Sequence, residues 1–533
     1  MRSMLRQRHA LDWRSEHAPG MFARIEMAVR KPPKEGSKGK AEPLRVLFIA
    51  SECTPYAKTG GLGDVVAGLA KALRQFGHDA RVLIPLYSQI DRAKHGVKHA
   101  TGACVHMGGT TEHWVGVYKA MLDDVVPVWF LEYDSYFGRS GIYDGPLGNY
   151  EDNAYRFALL SKAALQICKD QQWIPHIMHG HDWPGALVPV FLKTWDRVLS
   201  PLSDTASVLT IHNIGYPGIY GAGILPYLGL GPEYFTPDIF EDHGKANLLK
   251  AGIHFADALT TVSPTHAREI LDPIGGMGHA PFLYNRREDL FGILNGVDYE
   301  HWNPETDRHL PARYSTKDMS GKAVCKRALQ EHFRLETTER LPLFGIVSRF
   351  AHQKGTHLLR EALPAALDNM LMQLVVLGNG DLDTENFFRW LRSAYPGRVG
   401  AHVGFDNRLS HLIEAGSDFF LMPSLYEPCG LNQIYSLKYG TLPVVRATGG
   451  LDDTVQNYNQ ATGDGTGFKF WEPSGRAFYY CIGWAVSTWF DRPQHIVKLR
   501  QQAMTQDFSW PKSAKQYVDV YQRALRKKSA ATP

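Results

Sequence analysis

The residues best suited to chemistry lie in short polar stretches placed directly behind apolar runs. Glu427 follows the run DFFLMPS and precedes CGLNQIYSLKYG, whose spacing predicts a helix from about Leu431. A carboxylate held at a strand end beside a helix N-terminus can grip sugar hydroxyls while neighbouring N–H groups face an anion, a pairing that suits a sugar nucleotide. The plainer reading is that Glu427 starts the helix, and that the glycine loop from Thr448 and Gly449 to Leu451 turns the chain. SRFAHQKG sets Arg349 and Lys354 in a loop after LPLFGIVSRF, where two cations can clamp a diphosphate or form a solvated basic loop. Lys58 precedes Thr59, Gly60 and Gly61 in a strand-to-helix loop that lets backbone approach phosphate; otherwise it is a turn. No Lys-Ser or Lys-Thr closes that loop, so it is not a nucleotide-triphosphate P-loop.

HGHDWPG opens with His-x-His-Asp, which can begin a binuclear metal site. Such a site needs a further adjoining histidine, and Trp183 and Pro184 occupy that space, so no metal is expected. Asp182 at a strand end suits hydrogen bonding to a sugar hydroxyl. His212 and Asn213 tip the strand VLTI in the same way, with a histidine satisfied in the core as the alternative. Lys58, Asp182, His212, Arg349 and Glu427 all fall just beyond strands, which chance placement would not arrange.

These positions need a frame of alternating strands and helices. LRVLFIASE reads as a strand; behind the glycines, Val65, Val66, Leu69, Ala70 and Leu73 recur at helical spacing, and residues 78–85 supply the next strand. Strands at 126–131, 176–179, 207–211 and 258–262, with a helix at 155–169, continue the series. A second series opens at LPLFGIVSRF and runs through LMQLVVLGNGD and RVGAHVGF. Strands separated by helices favour parallel sheets covered on both faces, so an α/β fold of two doubly wound domains follows. Ligands of such sheets bind beyond the strands' carboxyl ends, so two facing domains build one site from two sets of loops. The division is a flexible basic leader over 1–43, an N-terminal domain over 44–292 and a C-terminal domain over 293–507. An amphipathic tail helix over 508–527 packs back on the first domain.

Composition narrows the class. A chain of 533 residues exceeds what one core supports, and 44% hydrophobic with 21% charged residues describes an ordinary globular protein. No apolar run approaches a membrane span. The net charge of +4 is small for this length and the basic residues are scattered beyond the first segment, so nucleic acid is not a partner. Six dispersed cysteines without a Cys-x-x-Cys pair argue against a disulfide framework and a zinc cluster, and a reducing cytoplasm is the expected compartment. The oligomeric state is not legible.

KTGGLGDV, HGHDW, IHNIGYPGIY, VSPTHAREI, ILNGVD, VSRFAHQKG, LYEPCGLNQ and YGTLPVVRATGGLDDTV together resemble the signatures of bacterial glycogen synthases and plant starch synthases, in the same order from about Arg45 onward. The resemblance implies a GT-B fold, two Rossmann-like domains across a deep cleft. It implies retaining transfer of glucose from ADP-glucose to the nonreducing 4-hydroxyl of an α-1,4-glucan primer, glycogen or a maltooligosaccharide. By motif, Lys58, Gly60 and Gly61 would meet the donor from the first domain, and Arg349 and Lys354 would bind its diphosphate. Glu427 would hold glucose hydroxyls as a positioning residue, with the N–H groups of Cys429, Gly430 and Leu431 beside it. Asp182, His212 and Asn213 would complete the sugar pocket; Asp64 and Tyr143 would line the acceptor side, and Asn295, Thr448 and Gly449 would touch substrate. No cofactor is implied, because Arg349 and Lys354 replace a divalent ion. The pattern departs at Pro184, where several relatives have His, and at Asn432, where Thr is common. Phe405 stands where an adenine-stacking aromatic sits and lacks a tyrosine's hydroxyl. UDP-glucose as donor or a small glucoside as product is the nearest alternative, and a noncatalytic carbohydrate-binding protein the alternative from another class. A dinucleotide oxidoreductase is disfavoured, since the first loop lacks G-x-G-x-x-G spacing.

Overall fold

The computed structural model describes residues 42–146 and 148–530, so the proposed leader lies outside the described residues except for its last two. Strands buried on both faces need a parallel sheet with helices on either side, and Ala206–Ile211 is buried at every position. Among the described residues the first sheet has nine strands. Their order is Leu290–Gly292, Ala258–Thr261, Ala206–Ile211, Ile177–His181, Arg45–Ile49, Asp79–Pro85, Val126–Glu132, Glu112–Leu122 and Lys98–His106. The first seven run parallel, and the last two form an antiparallel hairpin on the edge. That hairpin escapes a search for apolar runs because its outer strand carries exposed residues along much of its length. The second sheet is wholly parallel, ordered Val399–Val403, Gln373–Gly380, Leu343–Phe350, Phe419–Met422, Leu442–Arg446 and Phe468–Phe470.

The helix Leu62–Gln75 buries the residues its spacing singles out, Val65, Val66, Leu69, Ala70 and Leu73. The segment read as a glycine loop from Thr448 to Leu451 is instead helical over Gly449–Thr454, with Thr448 extended ahead of it. The three glycine-loop and helix-start regions at Gly60, Lys354 and Glu427 all stand at carboxyl ends of strands, where the two sheets face each other.

The chain leaves the first sheet after Gly292 and comes back at Phe508. These crossings run side by side: the Val297 N–H donates to the Phe508 carbonyl at 2.9 Å, and Val297 bridges Ser509 in parallel. The helix Trp510–Ala530 then lies along Leu62–Gln75 and adds Tyr517, Val520, Tyr521 and Ala524 to the first domain's core. Its first residue enters a notch that requires glycine. A Cβ on Gly68 would lie 2.0 Å from the Trp510 Nε1, and one on Gly296 would lie 2.5 Å from its Cδ2.

Candidate active site

A cavity of about 970 Å³ opens between the two sets of strand ends. From the first domain it is lined by Gly60, Gly61, Tyr143, Asp182, His212 and Asn213, and from the crossing by Asn295. The second domain contributes Arg349, Lys354, Glu427, Cys429, Gly430 and Leu431. The walls touch at one end, where a Cβ on Gly61 would meet Leu431 Cδ1 at 3.5 Å.

On the second domain's wall the Lys354 Nζ donates to Glu427 Oε2 at 2.6 Å, and the Ser424 hydroxyl donates to the same oxygen at 2.9 Å. Glu427 is 5% exposed, so this is a buried ion pair with an added hydrogen bond, the condition under which burial of a carboxylate is tolerated. The pair forms because two loops are pinned together. The Leu425 N–H donates to the Gln353 carbonyl at 2.8 Å, and the Arg446 guanidinium donates to the Ser424 carbonyl at 2.8 Å and to the Leu425 carbonyl. Gly355, next to Lys354, has φ +70°, and a Cβ there would sit 2.1 Å from the Pro423 carbonyl oxygen, so only glycine lets the lysine loop close on the strand Phe419–Met422. Arg349 ends the strand Leu343–Phe350 exposed at the cavity. The Asn432 side chain donates to the Val347 carbonyl at 2.7 Å, tying the helix Asn432–Lys438 to that same strand.

On the opposite wall Asp182 adopts φ +51°, unusual for a residue with a Cβ and a mark of a locally constrained backbone. Its Oδ1 accepts the His212 N–H at 2.6 Å and the Asn213 N–H at 3.3 Å, which shapes the loop that follows the strand Ala206–Ile211. Burial raises the Asp182 carboxyl to about 7, with those two N–H groups acting against it. His212 is pushed down to about 3 by burial, and His181, 2.9 Å from it through Nδ1 and His212 Nε2, is held well below the usual histidine range by burial first and its histidine neighbours second. These imidazoles are neutral at neutral pH.

Five residues implied by the motifs do not line the cavity. The Lys58 ammonium turns to both oxygens of Asp64, at 2.9 and 2.6 Å, and both residues lie off the wall. Phe405 lies beyond the strand Val399–Val403 and is 84% exposed. Thr448 Oγ1 and the Gly449 N–H donate to Glu269 Oε1 at 2.9 and 3.0 Å, so they join the domains directly.

One residue that motif reading passes over is Glu52, the acid that ends LRVLFIASE. It is 3% exposed and accepts the Thr59 N–H at 2.6 Å, the Gly60 N–H at 3.2 Å, the Thr59 hydroxyl at 2.9 Å and the Tyr143 hydroxyl at 2.7 Å. TGGLGDVV from Thr59 and TGGLDDTV from Thr448 echo each other in sequence, and the echo extends to geometry. Each Thr-Gly-Gly opens a helix and wraps a carboxylate of this chain, Glu52 in one case and Glu269 in the other. The sequence signal for Glu52 was an acid at a strand's carboxyl end, the same signal that marks Asp182.

Two doubly wound domains facing one another across a cavity walled by cations and a buried carboxylate define a glycosyltransferase of the GT-B class. Residues 45–285 match the family model for the starch synthase catalytic domain, and residues 329–474 match the model for glycosyl transferases group 1. Glycogen synthase 1 of Geobacter metallireducens is 47% identical over 489 residues, 91% of this chain and 97% of that protein. Glycogen synthase of Treponema denticola is 44% identical over 494 residues, covering 91% and 100%. The catalytic domain of starch synthase IV from Arabidopsis thaliana, solved with ADP and acarbose, matches with a TM-score of 0.84 at 33% identity, covering 91% of this chain and all of that one. The chain belongs to the glycogen synthase family.

Proposed function

We propose that this protein elongates an α-1,4-glucan by transferring glucose from ADP-glucose to the nonreducing 4-hydroxyl with retention of configuration. The observation that carries the reading is the Lys354–Glu427 pair, with Arg349, facing Asp182 and His212 across one cavity. An ammonium has three donors, so Lys354 can hold Glu427 and still meet a diphosphate oxygen. As the bond from the anomeric carbon to the phosphate oxygen breaks, negative charge grows on ADP, and Arg349 and Lys354 offset it. The acceptor oxygen bonds to the anomeric carbon on the same face, and its proton passes to the departing phosphate oxygen. Glu427 takes the glucose hydroxyls and positions the ring; its Oε2 is already committed to Lys354 and Ser424, which suits holding better than nucleophilic attack.

The neutral His212 imidazole suits a neighbour that becomes cationic, since a protonated ring would repel an oxocarbenium-like centre. Cys429, Gly430 and Leu431 line the cavity and offer their N–H groups to the donor. In this reading the two cations supply the charge a divalent ion would otherwise bring, so the transfer runs without one. Six free thiols fit a reducing cytoplasm.

The test is to incubate the protein separately with ADP-glucose and UDP-glucose, each with a maltooligosaccharide primer, and to follow nucleotide release and chain length. ADP release matched by longer chains is expected. Faster release of UDP would replace the donor, and release of neither from folded protein would turn the reading to a noncatalytic glucan-binding protein.

A further inference from the structure

On the solvent face of the edge hairpin, Cys104 and His106 stand two residues apart on the strand Lys98–His106, and Glu112 is the cross-strand partner of His106. Positions i and i+2 of a strand share a face, and the intervening Val105 is buried on the other side. A thiol, an imidazole and a carboxylate are thereby gathered at one point. Cys104 Sγ lies 3.9 Å from His106 Nε2 and 3.9 Å from Glu112 Oε2, and His106 Nδ1 lies 3.1 Å from Glu112 Oε1. One ligand atom from each residue falls within 4.8 Å of the other two. Tetrahedral zinc with bonds of about 2.0–2.3 Å holds its ligand atoms about 3.3–3.6 Å apart, so closing a pair by up to about 1.5 Å, shared between two exposed side chains, would bring these groups onto an ion.

We propose that Cys104, His106 and Glu112 form a zinc site at the edge of the first sheet. The plainer alternative is a surface His–Glu ion pair with a thiol standing by. A mixed sulfur, nitrogen and oxygen set selects zinc over the hard cations magnesium and calcium. Three protein ligands on an open face leave a fourth position for water. The ion fastens the sheet's outermost strand to its neighbour, beside the turn that joins them. It takes no part in glucosyl transfer, because none of the three residues lines the cavity.

Cys104 is the one cysteine of the six that is not buried, which makes a thiolate signal specific to it. Full-length protein stripped with chelator is titrated with zinc by calorimetry and, separately, with cobalt by absorption. One zinc per chain, a near-ultraviolet sulfur-to-cobalt charge-transfer band and a Tm that rises with zinc are expected. Cys104→Ser should abolish the band, and Cys104→Ser, His106→Ala and Glu112→Ala should each weaken zinc binding by about tenfold or more, since each removes a ligand. Glucosyl transfer should be equal in all four proteins. Absence of saturable zinc binding, or a Cys104→Ser protein that keeps the affinity or the band, overturns the site.

Discussion

At the scale of single residues the site is a set of charges whose environments decide what they can do. Lys354 neutralises a carboxylate that is almost fully enclosed and, in the proposed reaction, charge on the leaving group. Lys354→Ala should therefore lower turnover by about two to three orders of magnitude, as loss of electrostatic stabilisation does. It should also lower the Tm, because Glu427 is left buried without its counter-ion. Steady-state kinetics with a thermal melt checks both, and a rate within about threefold of wild type excludes the leaving-group role. Asp182 supplies a pH-dependent prediction. Its carboxyl is raised from 3.8 to about 7 in the folded protein, so the folded state holds that proton more tightly than the unfolded chain. The stability this contributes is complete below pH 3.8 and is lost as pH rises through about 7. Asp182→Asn keeps an acceptor for the His212 and Asn213 N–H groups but has nothing to titrate. Between pH 4 and 8, denaturant unfolding should find wild type losing at most about 4 kcal/mol relative to the variant. Parallel curves would show that burial does not raise this carboxyl.

At the scale of elements, close approaches of backbone hold these residues in place. Gly355→Ala puts a side chain at φ +70° and against the Pro423 carbonyl, so the Lys354 loop must move. A displacement of about 1 Å is enough to cost about a hundredfold in rate, and kcat should fall by that order while the melt changes less than in Lys354→Ala. Gly68→Ala drives a methyl into the Trp510 indole and should destabilise by about 1–3 kcal/mol through overpacking, read as a lower midpoint in urea. The parallel strands were legible because burial on both faces writes itself as an unbroken apolar run, and the polar tips because they interrupt such runs. The edge hairpin was not legible, since one of its faces is wet and its register depends on a partner strand distant from any motif. The helix Gly449–Thr454 reads as a loop because its glycines are poor helix formers, and its packing overrides that preference. Lys58 shows a further limit: its place in a motif marks it for the donor, yet its nearest opposite charge, Asp64, is what decides where the ammonium points.

At the scale of the molecule, contacts beside the cavity join the domains. The Thr265 N–H and hydroxyl both donate to Asp453 at 2.7 Å, the Ser263 hydroxyl donates to the Pro428 carbonyl at 2.6 Å, and Glu269 receives the start of Gly449–Thr454. Glu269→Gln weakens one of these clasps without touching the cavity. It should raise the KM for the donor more than it lowers kcat, because substrate must then gather the lobes; an unchanged KM would remove the clasp from the account of closure. Strong chelators should leave the transfer rate unchanged, measured as ADP released, and restoration of a lost rate by a divalent ion would return metal to the His179–Asp182 stretch.

The helix Trp510–Ala530 bears on how the protein is made. Tyr517, Tyr521 and Ala524 belong to the core of the domain that precedes the other in the chain, yet they are translated only after the whole of that other domain. The earlier lobe therefore waits, with a greasy strip of Leu62–Gln75 uncovered, until the other lobe and the helix behind it have emerged. A nascent chain stalled anywhere before Trp510 exposes that strip to chaperones, and the helix Trp510–Ala530 acts as the seal on the part of the fold made before it.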